Sequence, residues 1–246
     1  MQLSEITEHL EAIEETIVFK LIDRAQYREN AVIYQSGKSG FSGWLDKSLF
    51  EIRLRYHEEM DAQFGRFCVP EERPFTPELP LPRRKVLLPE TGLAIDSYDT
   101  VNLTEEISAG YRRLVAELCV DGDDGQYGSS VEHDVYALQA IARRVHYGSL
   151  YVAESKFISA PQCFGALIDA RDGSGLLGLL TRKDVEEKIL MRVREKTVAV
   201  QATVNSAVRR SIDPDIVVEF YRDCIIPLTK KGEVLYLLNR KADNGI

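Results

Sequence analysis

The stretch SSVEHDVYALQAIARRVHYGSLYVAESKFI, Ser129 to Ile158, decides the fold class. It contains no proline, and Val131, Val135, Leu138, Ala142, Val145 and Val152 recur at steps of three, four and seven. Apolar residues at that spacing form one stripe of a helix, because 3.6 residues make a turn. The preceding DGDDGQYGSS is a loop by composition. A helix is therefore expected from near Ser129 to about Ile158.

The same period recurs on both sides. Leu3, Ile6, Leu10, Ile13, Ile17 and Leu21 mark an opening helix, and a second is expected from about Trp44 to Phe64. Residues 68–98 then hold six of the nine prolines, Pro70, Pro74, Pro77, Pro80, Pro82 and Pro89. Proline removes a backbone donor and clashes with the preceding turn, so this is a long irregular connection with at most one short helix. Asn102 followed by Glu105 signals a new start, for a helix running to about Val120. Two short helices are expected over 161–180, split by Asp172-Gly173-Ser174-Gly175. Thr181 with Asp184 reads as the capped start of a helix to about Thr203. Asp213-Pro214 opens a last helix, expected to end near Asn244-Gly245. No strand alternation, repeat or low-complexity tract interrupts. The chain reads as all-α, one large helical domain over 1–246.

Composition narrows the function classes. With 44% hydrophobic and 28% charged residues the chain is ordinary for a soluble globular protein. No apolar run approaches the ~20 residues that span a bilayer, and the acidic N-terminal stretch lacks the features of a signal peptide, so a cytoplasmic location and no membrane partner are expected. The net charge of −8, with basic residues dispersed among acids, disfavours nucleic acid. An anionic substrate would need a local cationic pocket. Cys68, Cys119, Cys163 and Cys224 are far apart and show no metal or disulfide spacing. His9, His57, His133 and His146 show no ligand spacing either, and His146 reads as structural.

Six segments in fixed order carry a resemblance. They are IEETIVFKLIDRA (13–25), GRFCVPEERPF (65–75), YGSSVEHDVYALQAIARRVHYG (127–148), VAESKF (152–157), VEEKIL (185–190) and IIPLTKKGEVLYLL (225–238). Over nearly its whole length the chain resembles the all-helical, eukaryotic-type chorismate mutases. The resemblance implies conversion of chorismate to prephenate, the branch step toward phenylalanine and tyrosine. It also implies a homodimer, no metal, no organic cofactor, and an effector site for tryptophan or tyrosine.

That reaction is an intramolecular rearrangement, so no nucleophile is required. Holding the flexible dicarboxylate in a compact chair lowers the barrier, and donors to the breaking ether oxygen lower it further. By the resemblance Arg144 binds a carboxylate and Lys156 meets a carboxylate and the ether oxygen. Glu186 accepts from the substrate hydroxyl. Glu233 donates to the ether oxygen and must be protonated to do so. Thr229, one turn before Glu233, orients it or contacts a carboxylate, or else bonds its own helix. Arg143, about 100° round the helix from Arg144, and Glu187, beside Glu186, are expected outside the site.

Two departures stand out. The family's second carboxylate-binding arginine, in the first helix, is Thr7 here. Arg182, four residues before Glu186, either supplies the missing cation from another helix or is a surface arginine paired with Glu186. Arg144 and Lys156 are also one residue further apart than in the family. Eleven residues return to about 20° of the same face but twelve to about 120°. The extra residue must be absorbed, most simply as a π-bulge near Gly148 to Tyr151. For regulation, Gly128 and Ser129 align with the effector loop, where free helix N–H groups would bind a carboxylate. Arg66 aligns with a contact from the partner subunit, and Glu132 replaces a threonine, repelling a carboxylate but suiting an ammonium. These departures leave a rival open: a weakly active or inactive homologue acting as a small-molecule-binding or regulatory subunit.

Overall fold

The computed structural model describes residues 2–203 and 207–241. Among them ten α-helices succeed one another. The first five are α1 (Leu3–Arg24), α2 (Leu49–Phe64), α3 (Thr104–Leu118), α4 (Tyr127–Tyr147) and α5 (Ala153–Ser159). Then come α6 (Pro161–Asp169), α7 (Gly173–Leu180), α8 (Lys183–Ala202), α9 (Pro214–Phe220) and α10 (Ile226–Leu238). Among the described residues, pairing of strand type is confined to two isolated bridges, Arg28 with Val120 and Ile95 with Arg240. The all-α expectation is met.

The α1/α4 pair forms the spine. Its apolar seam joins Ile6, Leu10, Ile13, Ile17 and Leu21 to Val131, Val135, Leu138, Ala142 and Val145, all buried. Two buried ion pairs fix its register. Arg24 Nε lies 2.6 Å from Asp134 Oδ1, and Arg144 Nη2 lies 3.3 Å from Glu14 Oε1. Each pair is ten residues from the other on both helices, in opposite order, so the helices run antiparallel. The acid is on α4 in one pair and on α1 in the other, so a slipped register would oppose like charges. Tyr34 and Tyr111 also donate to Asp134, at 2.7 and 2.8 Å, leaving that buried carboxylate fully bonded.

The continuous helix expected from Ser129 to Ile158 is interrupted at the expected place. Gly148–Val152 is a π-helical turn between α4 and α5. It takes up the extra residue between Arg144 and Lys156 and returns both toward one site. Ser149 supplies the local compensation: its hydroxyl lies 2.7 Å from the Val145 carbonyl and 3.2 Å from that of Thr229. A second π-turn, Tyr221–Ile225, separates α9 from α10, where one unbroken helix was expected. The readable signal was Pro227, which cannot donate to the carbonyl four residues back and so disturbs the ladder. Thr229 adds a local side-chain bond one turn into α10, its hydroxyl donating to the Ile225 carbonyl at 2.8 Å.

Other boundaries need correction. The second helix starts at Leu49, not near Trp44, because Ser48 and Glu51 form a reciprocal capping box. Asn102 lies one residue before the N-cap of α3, which is Leu103, and accepts from Thr104 N at 2.9 Å. Thr181 does not cap α8; its hydroxyl donates back to the Leu177 carbonyl and Arg182 takes the N-cap position. The last helix ends at Leu238. The end expected at Asn244-Gly245 lies outside the described residues.

The proline-rich connection contains no helix between Val69 and Ser97. It is tied down at both ends. Buried Glu58 accepts from Phe75 N and Thr76 N, and Arg73 donates to the Phe67 and Val69 carbonyls and to Asp99. At the far end Ala94 N donates to the Tyr236 hydroxyl, and Lys241 N to the Ala94 carbonyl.

Candidate active site

Glu233 is the centre of a small polar interior formed by α4, α5, α8 and α10. It is 4% exposed, and Lys156 Nζ donates to its Oε2 at 2.9 Å. Burial drives its carboxyl pKa up, against the opposing pull of Lys156, Arg144 and Lys230, and the net shift is upward. A neutral acid with one oxygen on an ammonium keeps its other oxygen free to carry a proton. Lys156 also donates to the Leu180 carbonyl at the end of α7, at 3.3 Å. The ammonium has a third proton to offer.

Arg144 is 3% exposed. Glu14 accepts from its Nη2 and also takes two bonds from Arg192, both at 2.9 Å. Glu14 is fully buried, with Lys196 a further 3.8 Å contact. This anchor turns Arg144 so that Nη1 lies beside Gly148. A Cβ on Gly148 would be 3.1 Å from that nitrogen and 2.8 Å from the Thr229 methyl. Glycine there is a space requirement: the π-turn backbone approaches both site residues. Gly232 does the same for α10, since a Cβ there would fall 2.0 Å from Ser149 Oγ. The two glycines let the π-turn and α10 close on one another.

Glu186 sits in the first turn of α8, partly exposed, with Lys230 Nζ 2.9 Å from its Oε1. Thr229 lines the site with its methyl, and the local helix bond is the one its hydroxyl makes. Arg144, Lys156 and Glu233 are thus brought together, and Glu186 and Thr229 border them. Arg143 is partly exposed, near Glu71 and Glu72, and Glu187 is exposed, both outside the site as expected. His146 is structural: Leu103 N donates to its Nε2 at 3.0 Å, and burial pushes its pKa down to about 3, so it stays neutral.

The idea that Arg182 supplies a cation is corrected. As the N-cap of α8 its backbone is extended, and the side chain is 63% exposed and pairs with Asp184. The helical i, i+4 relation to Glu186 assumed a helix that has not yet begun. Thr7 is exposed and donates to the Leu3 carbonyl. The residues named for effector binding do not converge within one chain. Arg66 is held by Asp61, Glu72 and Gln139. Gln139 is ten residues along α4 from Ser129, about 15 Å. Glu132 faces Arg53 at 3.4 Å. Gly128 and Ser129 form the open first turn of α4, whose N-cap has no side-chain bond.

Sequence reasoning missed Glu14, Arg192, Lys230 and Gly148. Glu14 had a signal: it falls on the buried stripe of α1, between Leu10, Ile13 and Ile17, where an acid needs a partner. Lys230 and Arg192 had none, because their partners lie far away in the chain. Among the described residues no cluster of three or more His, Cys, Asp or Glu could hold a metal ion, and the four cysteines are free.

Known proteins match both sequence and fold. No family model matches the chain. The chloroplastic chorismate mutase 1 of Petunia hybrida is 36% identical over 92% of this chain and 72% of its own length. The chorismate mutase of Schizosaccharomyces pombe is 35% identical over 98% of this chain and 96% of its own. Among solved structures, the chorismate mutase of Candida albicans in complex with L-Trp superposes with a TM-score of 0.89 at 34% identity, over 97% of this chain and 91% of that one. AtCM1 with phenylalanine in its allosteric site superposes at 0.87 and 36%, over 98% and 96%. Identity of this order over nearly full length, on the same helices, leaves one conclusion: the chain belongs to the chorismate mutase family.

Proposed function

We propose that the chain rearranges chorismate to prephenate at the interior around Glu233, with Arg144, Lys156, Glu186 and Glu233 as its working groups. The carrying observation is the convergence of Arg144 and Lys156 on the buried Glu233 carboxyl, whose pKa burial raises. In the reaction the ether C–O bond breaks as a new C–C bond forms, within one molecule. Arg144, oriented by Glu14, clamps one carboxylate. Lys156 spans a carboxylate and the ether oxygen. The free oxygen of Glu233 donates its proton toward the negative charge growing on that ether oxygen. Glu186, with Oε1 held by Lys230, accepts from the substrate hydroxyl through Oε2. Gly148 and Gly232 close the wall, so the chair is selected by shape.

The rival reading, a weak or inactive homologue, now rests on Thr7 alone, because the π-turn absorbs the extra residue. The wider proposal is one domain acting in the cytosol as a homodimer, without cofactor. The maize cytosolic chorismate mutase 2 is matched over 98% of this chain and 96% of its own length, and no helix of the described residues is long and apolar enough to cross a membrane. Tyr56, Met60 and Phe64, exposed on one face of α2, offer a second copy an apolar surface. Tryptophan or tyrosine would bind at Gly128 and Ser129, with Arg66 contributed across the dimer. The test is loss of chorismate, followed in metal-free buffer with and without either amino acid. Turnover that disappears in folded Arg144→Ala and Lys156→Ala supports the reading; wild-type turnover in either variant overturns it.

A further inference from the structure

A dianion entering this site meets a further carboxylate, Glu186, whose oxygen accepts from the substrate hydroxyl. The available cations are few. Arg144 and Lys156 face the reacting centre. Arg192 is spent on Glu14 and Glu11. Arg182 is turned to solvent, and Thr7 carries no charge. One cation is left. Lys230 follows Thr229 directly on α10, its side chain only 20% exposed, with Nζ on Glu186 Oε1. Lys230 also lies three residues before Glu233 on α10, within one turn of it.

We propose that Lys230 is a substrate-binding cation of this site: its ammonium bridges Glu186 and the substrate carboxylate that Thr7, standing where an arginine would, leaves without a clamp on α1. This rests on the mutase reading above. An ammonium carries three donors on a flexible four-carbon stem, so one bond to Glu186 leaves two for a carboxylate. With Glu233 in the protonated form that its donor role requires and Glu14 balanced by Arg192, Lys230 makes three positive charges, with Arg144 and Lys156, against three negative ones, Glu186 and the two substrate carboxylates. Without it Glu186 repels the substrate it is meant to bind. Substrates lacking the second carboxylate should gain nothing from Lys230, which makes it a determinant of specificity for dicarboxylates.

The experiment compares kcat and KM for chorismate in wild type, Lys230→Met, Lys230→Arg and Thr7→Arg/Lys230→Met, then repeats Lys230→Met in a Glu186→Gln background. Absence of wild-type turnover overturns the mutase reading itself. Given turnover, Lys230→Met should lower kcat/KM on the order of 10- to 100-fold, the scale of a lost charged hydrogen bond, mainly through KM. Lys230→Arg should stay within a few-fold, and Thr7→Arg should restore part of the loss. Part of the penalty should persist in the Glu186→Gln background, where the repulsion by Glu186 is gone but the lost carboxylate contact remains. Arg182→Ala should leave the same parameters nearly unchanged. Near-wild-type kinetics in folded Lys230→Met overturns the proposal, and so does a penalty that vanishes in the Glu186→Gln background, which would reduce Lys230 to a support for Glu186.

Discussion

Gly148→Ala tests the site through space rather than charge. A Cβ at this position lies 2.8 Å from Thr229 Cγ2, 3.1 Å from Arg144 Nη1 and 3.8 Å from Leu10 Cδ2. Carbon atoms prefer about 3.5–4.0 Å, so the Thr229 contact must open by about 0.7 Å or more. Thr229 sits on α10, which is itself held to the π-turn by the close approach at Gly232. Arg144 Nη1 is the softer neighbour, although its other nitrogen is tied to Glu14. Gly148 has ordinary helical backbone angles, φ −58° and ψ −46°, so alanine brings no backbone strain. Alanine in a helix contributes about 1 kcal/mol over glycine, whereas overpacking costs about 1–3 kcal/mol. The net effect on stability should be small, between roughly zero and 2 kcal/mol of destabilisation. The effect on turnover should be larger. A displacement near 1 Å of a positioned group costs on the order of 100-fold, so kcat/KM is expected to fall about 10- to 100-fold. Urea unfolding and steady-state chorismate turnover on the same preparation separate the two. Wild-type turnover in stably folded Gly148→Ala would refute the assignment of Arg144, Gly148 and Thr229 to one wall.

Two further outcomes follow from charge and burial. Burial raises the Glu233 pKa, so the donating acid is present at low pH and is lost as pH rises through that pKa. The kcat profile of wild type should therefore have an alkaline limb that Glu233→Gln flattens, and an equally steep limb in both proteins would show that Glu233 is not the donor. Arg24→Ala should cost about 3–5 kcal/mol in urea unfolding, because it strands the buried Asp134 carboxylate with only two phenols for donors. A loss below about 1 kcal/mol would mean that the α1/α4 register does not depend on this pair.

Much of the fold was legible because helix formation is written in short-range periods. The stripe of α4, the cap at Asp213 and the break at residues 68–98 all follow from residues within a turn or two of each other, whereas sequence reasoning missed the Ser48 cap. Even the π-turn at Gly148–Val152 could be anticipated from a one-residue excess between two site residues. The second π-turn could have been found from Pro227, and the error at Thr181 came from reading a capping pattern without knowing where the helix began.

By itself, the sequence determined the all-α class, the family, and the chemical types gathered at the site. Only the tertiary structure decided how those groups pair. Lys156 meets Glu233 across 77 residues, Arg144 meets Glu14 across 130, and Arg192 meets Glu14 across 178. Periodicity tells which face of a helix a side chain occupies, but it carries no information about which other helix that face will meet. Helix packing therefore turned Arg182 out to solvent, placed Lys230 beside Glu186, and used Glu14 to aim Arg144. A buried charge is stable only where its partner arrives in three dimensions, and that arrival is a property of the packed helices rather than of any local stretch of chain.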